Sequence, residues 1–551
     1  MRGGGSALFG SSAIAGTINI ITKEPMRNSG MLSHTITGIG DGDVFDNSTA
    51  LNASLVTDDQ RAGLYIFGQN RHRSAYDHDG DGYSEIPKLH GQTIGFRSFL
   101  KTTTYSKLTF EYHHMEEFRR GGDLLNRPPH EANVAEQTEH SINGGGLKFD
   151  YFSPNENHRF NVFASAQHIN RDSYYGPGDR DPLDAYGNTT DLNWMAGSQY
   201  VYSFGKCIFM PSDLTAGIEF NQDKLEDNMW GYNRTVDQKV NIGSAFLQNE
   251  WKNDHWGFLI GGRLDKHNLI DHVIFSPRAN LRYNPTENIN LRFSYSSGFR
   301  APQAFDEDLH VENVGGNVAM VELADNLKEE RSQSLSASAD IYHRFGAFQV
   351  NFLVEGFYTK LSDVFALTDG EVVDGILTRT RHNASGAQVL GLTLEGKMAY
   401  LNKIQVQAGV TLQQSHYSKP HIWNKEAPAV KKMMRTPNTY GYFTATYTPI
   451  KPLSIALSGT YTGSMLVPHE PVPGFLENPI TVNTKDFFDI GLKAAYDFKL
   501  YKSMNLQLNA GIQNIFNAYQ DDFDKGADRD SGYIYGPSLP RSFFAGVKIS
   551  Y

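Results

Sequence analysis

At 551 residues, with 61 acidic against 50 basic side chains and a formal net charge of −11, the chain lacks the basic excess that nucleic-acid binding requires, and no Lys/Arg block interrupts it. Its single cysteine, Cys207, excludes an intrachain disulfide and a multi-cysteine metal site, and is read as a small packed side chain. Mean hydropathy is negative and no apolar run approaches the ~18 residues of a membrane-crossing helix. That excludes a helical membrane protein but not a transmembrane barrel, whose strands alternate lipid-facing and lumen-facing residues and average out polar.

The first stretch, residues 2–25, begins with small residues, among them Gly3, Gly4, Gly5, Gly10 and Gly16, which let backbone lie close against neighbouring backbone. Thr17-Ile18-Asn19-Ile20-Ile21-Thr22 follows as a β-branched strand, and Pro25 ends it in a turn. On spacing alone this is a Gly-rich loop feeding a strand. The series Arg2-Gly3, Ser6-Ala7-Leu8-Phe9-Gly10, Ala13-Ile14-Ala15-Gly16 and Ile18-Asn19-Ile20-Ile21-Thr22-Lys23 also resembles the end of the plug domain of TonB-dependent outer-membrane receptors, with Phe9 for the usual Tyr and Ala15 for the usual Gly. Met1-Arg2 leads into glycines and not into an apolar signal segment, so the sequence is expected to be truncated, with the signal and most of the plug upstream.

Next along the chain, Asp77-His78-Asp79-Gly80-Asp81-Gly82-Tyr83-Ser84-Glu85 places carboxylates at alternate positions with glycines for the bend. It matches the first six positions of a calcium loop, fails at the twelfth where Lys88 stands, and offers Glu85 as a substitute. Asp77, Asp79, Asp81 and Glu85 are therefore candidate calcium ligands in an extracellular loop, against the reading of an ordinary Asp-rich turn. His72 and His90 flank this loop, and His113 and His114 are neighbours on a strand, so one of that pair at most can face the lumen.

From about Gly30 onward the pattern is strands separated by polar connections. Ile289, Leu291, Phe293 and Tyr295 alternate with polar residues, as do Phe348 to Val354, Ile404 to Leu412, Leu453 to Leu457 and Leu506 to Ile512. Short Pro/Asn connections such as Tyr283 to Asn288 and Thr448 to Pro452 suit periplasmic turns. Longer polar stretches, Arg119 to Glu139, Asp172 to Leu192 and His416 to Thr436, suit extracellular loops. Some 525 residues at roughly 24 per strand and loop give about 22 strands.

Between the strands, Gly298-Phe299-Arg300-Ala301-Pro302 and Asn326-Leu327-Lys328-Glu329-Glu330-Arg331 resemble the Phe-Arg-Ala-Pro and Asn-Pro-Asn-Leu pair of haem, cobalamin and siderophore receptors, with Asp325-Asn326 replacing the Asn-Pro. The resemblance implies ligand-binding roles for Phe299, Arg300 and His310, the last as a neutral imidazole ligand for haem iron or cobalt. On the residues alone, His310 is a solvated loop histidine and Arg300 a lumen-facing arginine bonded to carbonyls. The final strand puts Phe543, Ala545, Val547, Ile549 and Tyr551 on one face, an arrangement similar to the closing strand of the same receptors.

The expected architecture is all-β: a transmembrane antiparallel β-barrel of about 22 strands over residues 26–551, preceded by the carboxyl-terminal remnant of a plug domain over residues 1–25. The resemblance implies a receptor and transporter of the bacterial outer membrane, embedded in lipid, for a metal-bearing complex such as cobalamin, haem or an iron siderophore. Haem or cobalamin would be cargo, and no resident cofactor is required. TonB would be met through the upstream plug region, so the 551-residue chain alone is expected not to transport actively. Other readings are a passive porin, a barrel docking a surface lipoprotein for oligosaccharide or other nutrient capture, and a barrel hydrolase. No Gly-x-Ser-x-Gly, phosphate-binding Gly-x-x-x-x-Gly-Lys or His-Glu-x-x-His supports an enzyme.

Overall fold

The computed structural model describes residues 24–40, 42, 44–177, 185–304, 318–373, 376–537 and 539–551, together with positions 10, 14, 16, 18, 20 and 22. Among these, the main sheet holds 23 strands, of which the three-residue Val430–Lys432 is appended to the end of Ile404–His421. The other 22 form a continuous antiparallel ring, each strand paired with its neighbours along the chain. The ring closes where the first strand, Ser29–Ile39, pairs with the last, Ser542–Ser550. At that seam the Tyr551 amide donates to the Gly30 carbonyl at 2.9 Å, and the Gly30 amide returns the bond at 3.2 Å. Every strand edge is thereby paired, the condition for placing backbone in hydrocarbon.

Side-chain alternation sets the two faces. Along the last strand Phe543, Ala545, Val547, Ile549 and Tyr551 are exposed, while Phe544, Gly546, Lys548 and Ser550 are partly covered. The register carries the outward set around the wall, from Ile549 to Leu32 and from Leu32 to Leu51, so apolar residues ring the outside as a band. The inward face is charged: Arg71 pairs with Asp46 at 2.6 Å, and Arg263 with Glu219 at 2.6 Å and Asp265 at 2.8 Å.

Aromatic rings fill the space left by glycines on neighbouring strands. A Cβ on Gly459 would meet the Phe443 ring at 2.2 Å, and one on Gly217 would meet Phe246 at the same distance. Both glycines are needed because the adjoining ring already occupies the volume of a side chain.

The first strand begins and the last strand ends at the short-turn end, which is the periplasmic end of such a barrel. The two proline-bearing turns are tighter than the sequence suggests. Strand Ile274–Thr286 runs through Pro285 and strand Thr439–Ile450 through Pro449, each with an irregular register there, since proline has no N–H to give the ladder.

The expected long loops need correction. Ser106–Gly122 and Val134–Phe152 occupy about half of Arg119 to Glu139, and His158–Pro177 and Tyr186–Cys207 occupy most of Asp172 to Leu192. Tyr186–Cys207 is 22 residues long, about twice what crossing the bilayer requires, so these ribbons stand well clear of the membrane. They are stiffened where Asp227 accepts from Thr189 Oγ1 at 2.5 Å and meets Arg171 at 3.6 Å and Arg234 at 3.7 Å. Two small sheets sit in the loops at this end. One joins Val318–Leu323, Ile376–Asn383 and Phe365–Val373, and the other pairs Leu466–His469 with Ile480–Asn483.

Candidate functional site

At the long-loop end, strand termini and loops enclose a pocket of about 350 Å³ whose walls include Arg300, Arg379, Arg381, Phe365, Trp423 and Glu470. Arg300 ends strand Ile289–Arg300. Arg379 and Arg381 lie two apart on Ile376–Asn383 and so share a face of that strand. Two guanidiniums lie over the Phe365 ring, with Arg300 Cζ 5.7 Å and Arg381 Cζ 5.9 Å from its centroid. That geometry is a cation–π contact from each arginine, and it helps hold both cations in place.

Among the described residues, three arginines face two carboxylates here. Arg379 donates to Glu470 Oε1 at 2.9 Å, and Asn424 Nδ2 donates to Glu470 Oε2 at 2.9 Å. Arg300 approaches Glu330 at 4.0 Å, while Glu330 accepts from the Phe365 amide at 2.6 Å. Burial pushes the Glu470 carboxyl above the usual carboxylate range, outweighing the Arg379 guanidinium beside it. The indole N–H of Trp423 has no hydrogen-bond partner among the described residues. A cluster of three guanidiniums with aromatic walls and an indole donor suits an anionic, oxygen-rich ligand.

Phe299 plays a different part from Arg300. It is 1% exposed and packs with Ile270, Ile274 and Ala301, fixing the backbone from which Arg300 projects. His310 lies outside the described residues.

The Asp loop is ordered by its own side chains and by the last loop of the chain. Asp77 accepts from the amides of Gly80 at 2.7 Å and Gly82 at 2.8 Å, and Glu85 accepts from the His78 amide at 2.7 Å. Asp77, Asp79 and Glu85 each bring one carboxylate oxygen within 4.8 Å of the others, while Asp81 turns toward Arg529. Arg529 spans Asp81 and Glu85, the latter at 2.7 Å, and lies 4.8 Å over the Tyr83 ring. Lys525 reaches Asp79 at 3.5 Å, and His78 stacks on Tyr519 at 4.4 Å. A second chamber of about 550 Å³ opens beside this clamp, walled by Glu85, Glu117, Arg119, His140, Arg529 and Tyr533 among others.

Of the paired histidines, His113 faces the lumen against Gly144, and His114 faces outward with its Nδ1 3.0 Å from Asn143 Oδ1. The amino-terminal stretch touches the inner wall at several described points. Gly10 lies against the Arg263 guanidinium, Ser332 Oγ donates to the Ile14 carbonyl at 2.7 Å, Arg97 bonds Thr22, and Lys107 pairs with Glu24 at 2.7 Å.

Arg379, Arg381, Trp423 and Arg529 escape a reading of the sequence. The Thr378-Arg379-Thr380-Arg381 alternation was the available signal for the first two, being two cations on one strand face. Nothing in the sequence brings residue 529 to residue 81.

The family described as TonB dependent receptor-like, beta-barrel matches residues 30–515. The chain belongs to that family, and is a protein of the bacterial outer membrane. Among curated proteins, the iron-regulated outer membrane virulence protein of Vibrio cholerae serotype O1 is 24% identical over 335 residues, covering 58% of this chain and 46% of that one. The chain thus spans less than half the length of that relative. Among solved structures, the siderophore receptor PirA of Acinetobacter baumannii superposes with a TM-score of 0.78 at 16% identity, covering 100% of this chain and 84% of its own. A mutant of the ferric enterobactin receptor of Pseudomonas aeruginosa gives 0.77 at 16% identity, with the same two coverages. At such identities the superpositions establish the fold.

Proposed function

We propose that this protein is a receptor for an iron complex of an anionic chelator, a ferric siderophore, which it binds in the arginine-lined outer pocket and passes inward by TonB-dependent coupling. The observation that carries the reading is the placing of Arg300, Arg379 and Arg381 around one pocket, two of them over the same aromatic ring. The names of these relatives, an iron-regulated outer membrane protein and receptors for a siderophore and for ferric enterobactin, support the same cargo. Haem and cobalamin receive less support, because the names of these relatives give iron regulation, a siderophore or ferric enterobactin. Residues 2–25 are taken as the exit segment of a plug, held to the wall through Glu24 and Thr22.

The test is equilibrium titration of the detergent-solubilised chain with a ferric tris-catecholate, followed by Trp fluorescence. Arg379→Gln and Arg381→Gln should each weaken binding by about 10- to 100-fold, the ~1.5–3 kcal/mol of a charge-assisted hydrogen bond. Unchanged affinity in both variants would overturn the assignment of this pocket.

A further inference from the structure

The outer surface changes character along strands Ala62–Arg73 and Ser84–Thr103. From the periplasmic end, their outward residues run Leu64, Ile66 and Gly68 on one, and Leu100, Ser98, Phe96 and Ile94 on the other. Gly68 sits between Leu51, 47% exposed, and Ile94, 61% exposed, which fixes this as the face that meets hydrocarbon. Beyond them the outward positions turn polar, with Asn70 and His72 opposite Gln92 and His90. The apolar band therefore ends just below the two histidines.

His72 and His90 are direct cross-strand partners, each four residues beyond an outward member of the band, so both project outward. Both are exposed, and their rings stand 5.7 Å apart at 71°. Neither contributes to the arginine pocket or to the Asp loop clamp. The nearby hydrogen-bonding side chain is Gln92, whose Nε2 lies 3.3 Å from His90 Nε2.

We propose that His72 and His90 form a transition-metal site on the outer surface of the barrel, at the upper boundary of the apolar band. A metal held at 2.0–2.1 Å by a ring nitrogen lies about 3.2 Å from that ring's centre. Two rings 5.7 Å apart then subtend about 125° at the metal, an angle that tetrahedral and trigonal coordination both accommodate. The ladder between the strands fixes the spacing of the two ligands, so the second imidazole adds little entropic cost to the first. Two imidazoles at this angle, with remaining positions open to water, match the tetrahedral preference of Zn²⁺, bind Cu²⁺ more strongly by the affinity order of the divalent metals, and offer nothing to Ca²⁺ or Mg²⁺, which take oxygen ligands.

Cu²⁺ titration of the solubilised chain in chelator-free buffer, read by electron paramagnetic resonance, tests this. The first Cu²⁺ equivalent should show coupling to two nitrogens. His72→Ala and His90→Ala should each reduce that coupling to one and weaken the site at least about tenfold, while His168→Ala leaves it unchanged. Far-ultraviolet circular dichroism of each variant checks that the barrel is retained, as expected for exposed side chains. Equal stoichiometry and affinity in the His72→Ala/His90→Ala double variant would overturn the proposal, as would one-nitrogen coupling in the parent protein.

Discussion

Arg379 carries its own counter-ion. With Glu470 ionised, part of the guanidinium's field is spent internally, and an anionic ligand must compete for it. Because burial raises the Glu470 pKa, its protonation begins at a pH above the usual carboxylate range. The sign follows: as pH falls through that raised value, Glu470 loses its charge, Arg379 is released, and affinity for an anion should rise. Glu470→Gln fixes the released state, so it should bind more tightly at neutral pH and lose that portion of the pH dependence. Titrations of parent and variant with the same ferric chelate at several pH values check this, and parallel curves would refute it.

At the level of single elements, the last strand gives the clearest contrast between faces. Val547 is outward and 37% exposed, and Lys548 beside it is inward. Val547→Arg should cost ~2–4 kcal/mol, while Lys548→Gln should cost little, measured by chemical unfolding in lipid vesicles. This alternation was legible in the sequence, as at Leu291 and Phe293, because a bilayer outside and water inside impose opposite demands on successive residues. It failed where water lies on both sides. Glu139 and Asp172 are paired strand residues, yet no polarity difference marks their faces, and so they looked like loop. The arginine pocket was half legible: Arg300 stands in a recognisable motif, whereas its partners come from loops whose meeting only the fold determines. The Asp loop illustrates the same limit. Its internal turn chemistry is local, but the clamp from Arg529 spans most of the chain. Arg529→Ala should raise hydrogen exchange across residues 77–86 while leaving the amides of strand Ser106–Gly122 protected.

For the whole molecule, the ring of 22 strands joins a periplasmic end of tight turns to an outer end where the ribbons stand above the bilayer. The wall supplies stability through paired backbone, which is why the loops are free to vary in what they recognise. The arginine pocket and the chamber beside the Asp loop both open at the outer end, where the proposed receptor would meet its ligand. Competition among ligand classes tests that division of labour most directly, using Trp fluorescence of the solubilised chain with a ferric tris-catecholate, haemin and cyanocobalamin. A ferric chelate bound at least about tenfold more tightly than the other two, with the preference abolished in Arg379→Gln/Arg381→Gln, is the predicted result. Tight binding of haemin or cyanocobalamin that the arginine substitutions leave unaltered would contradict it.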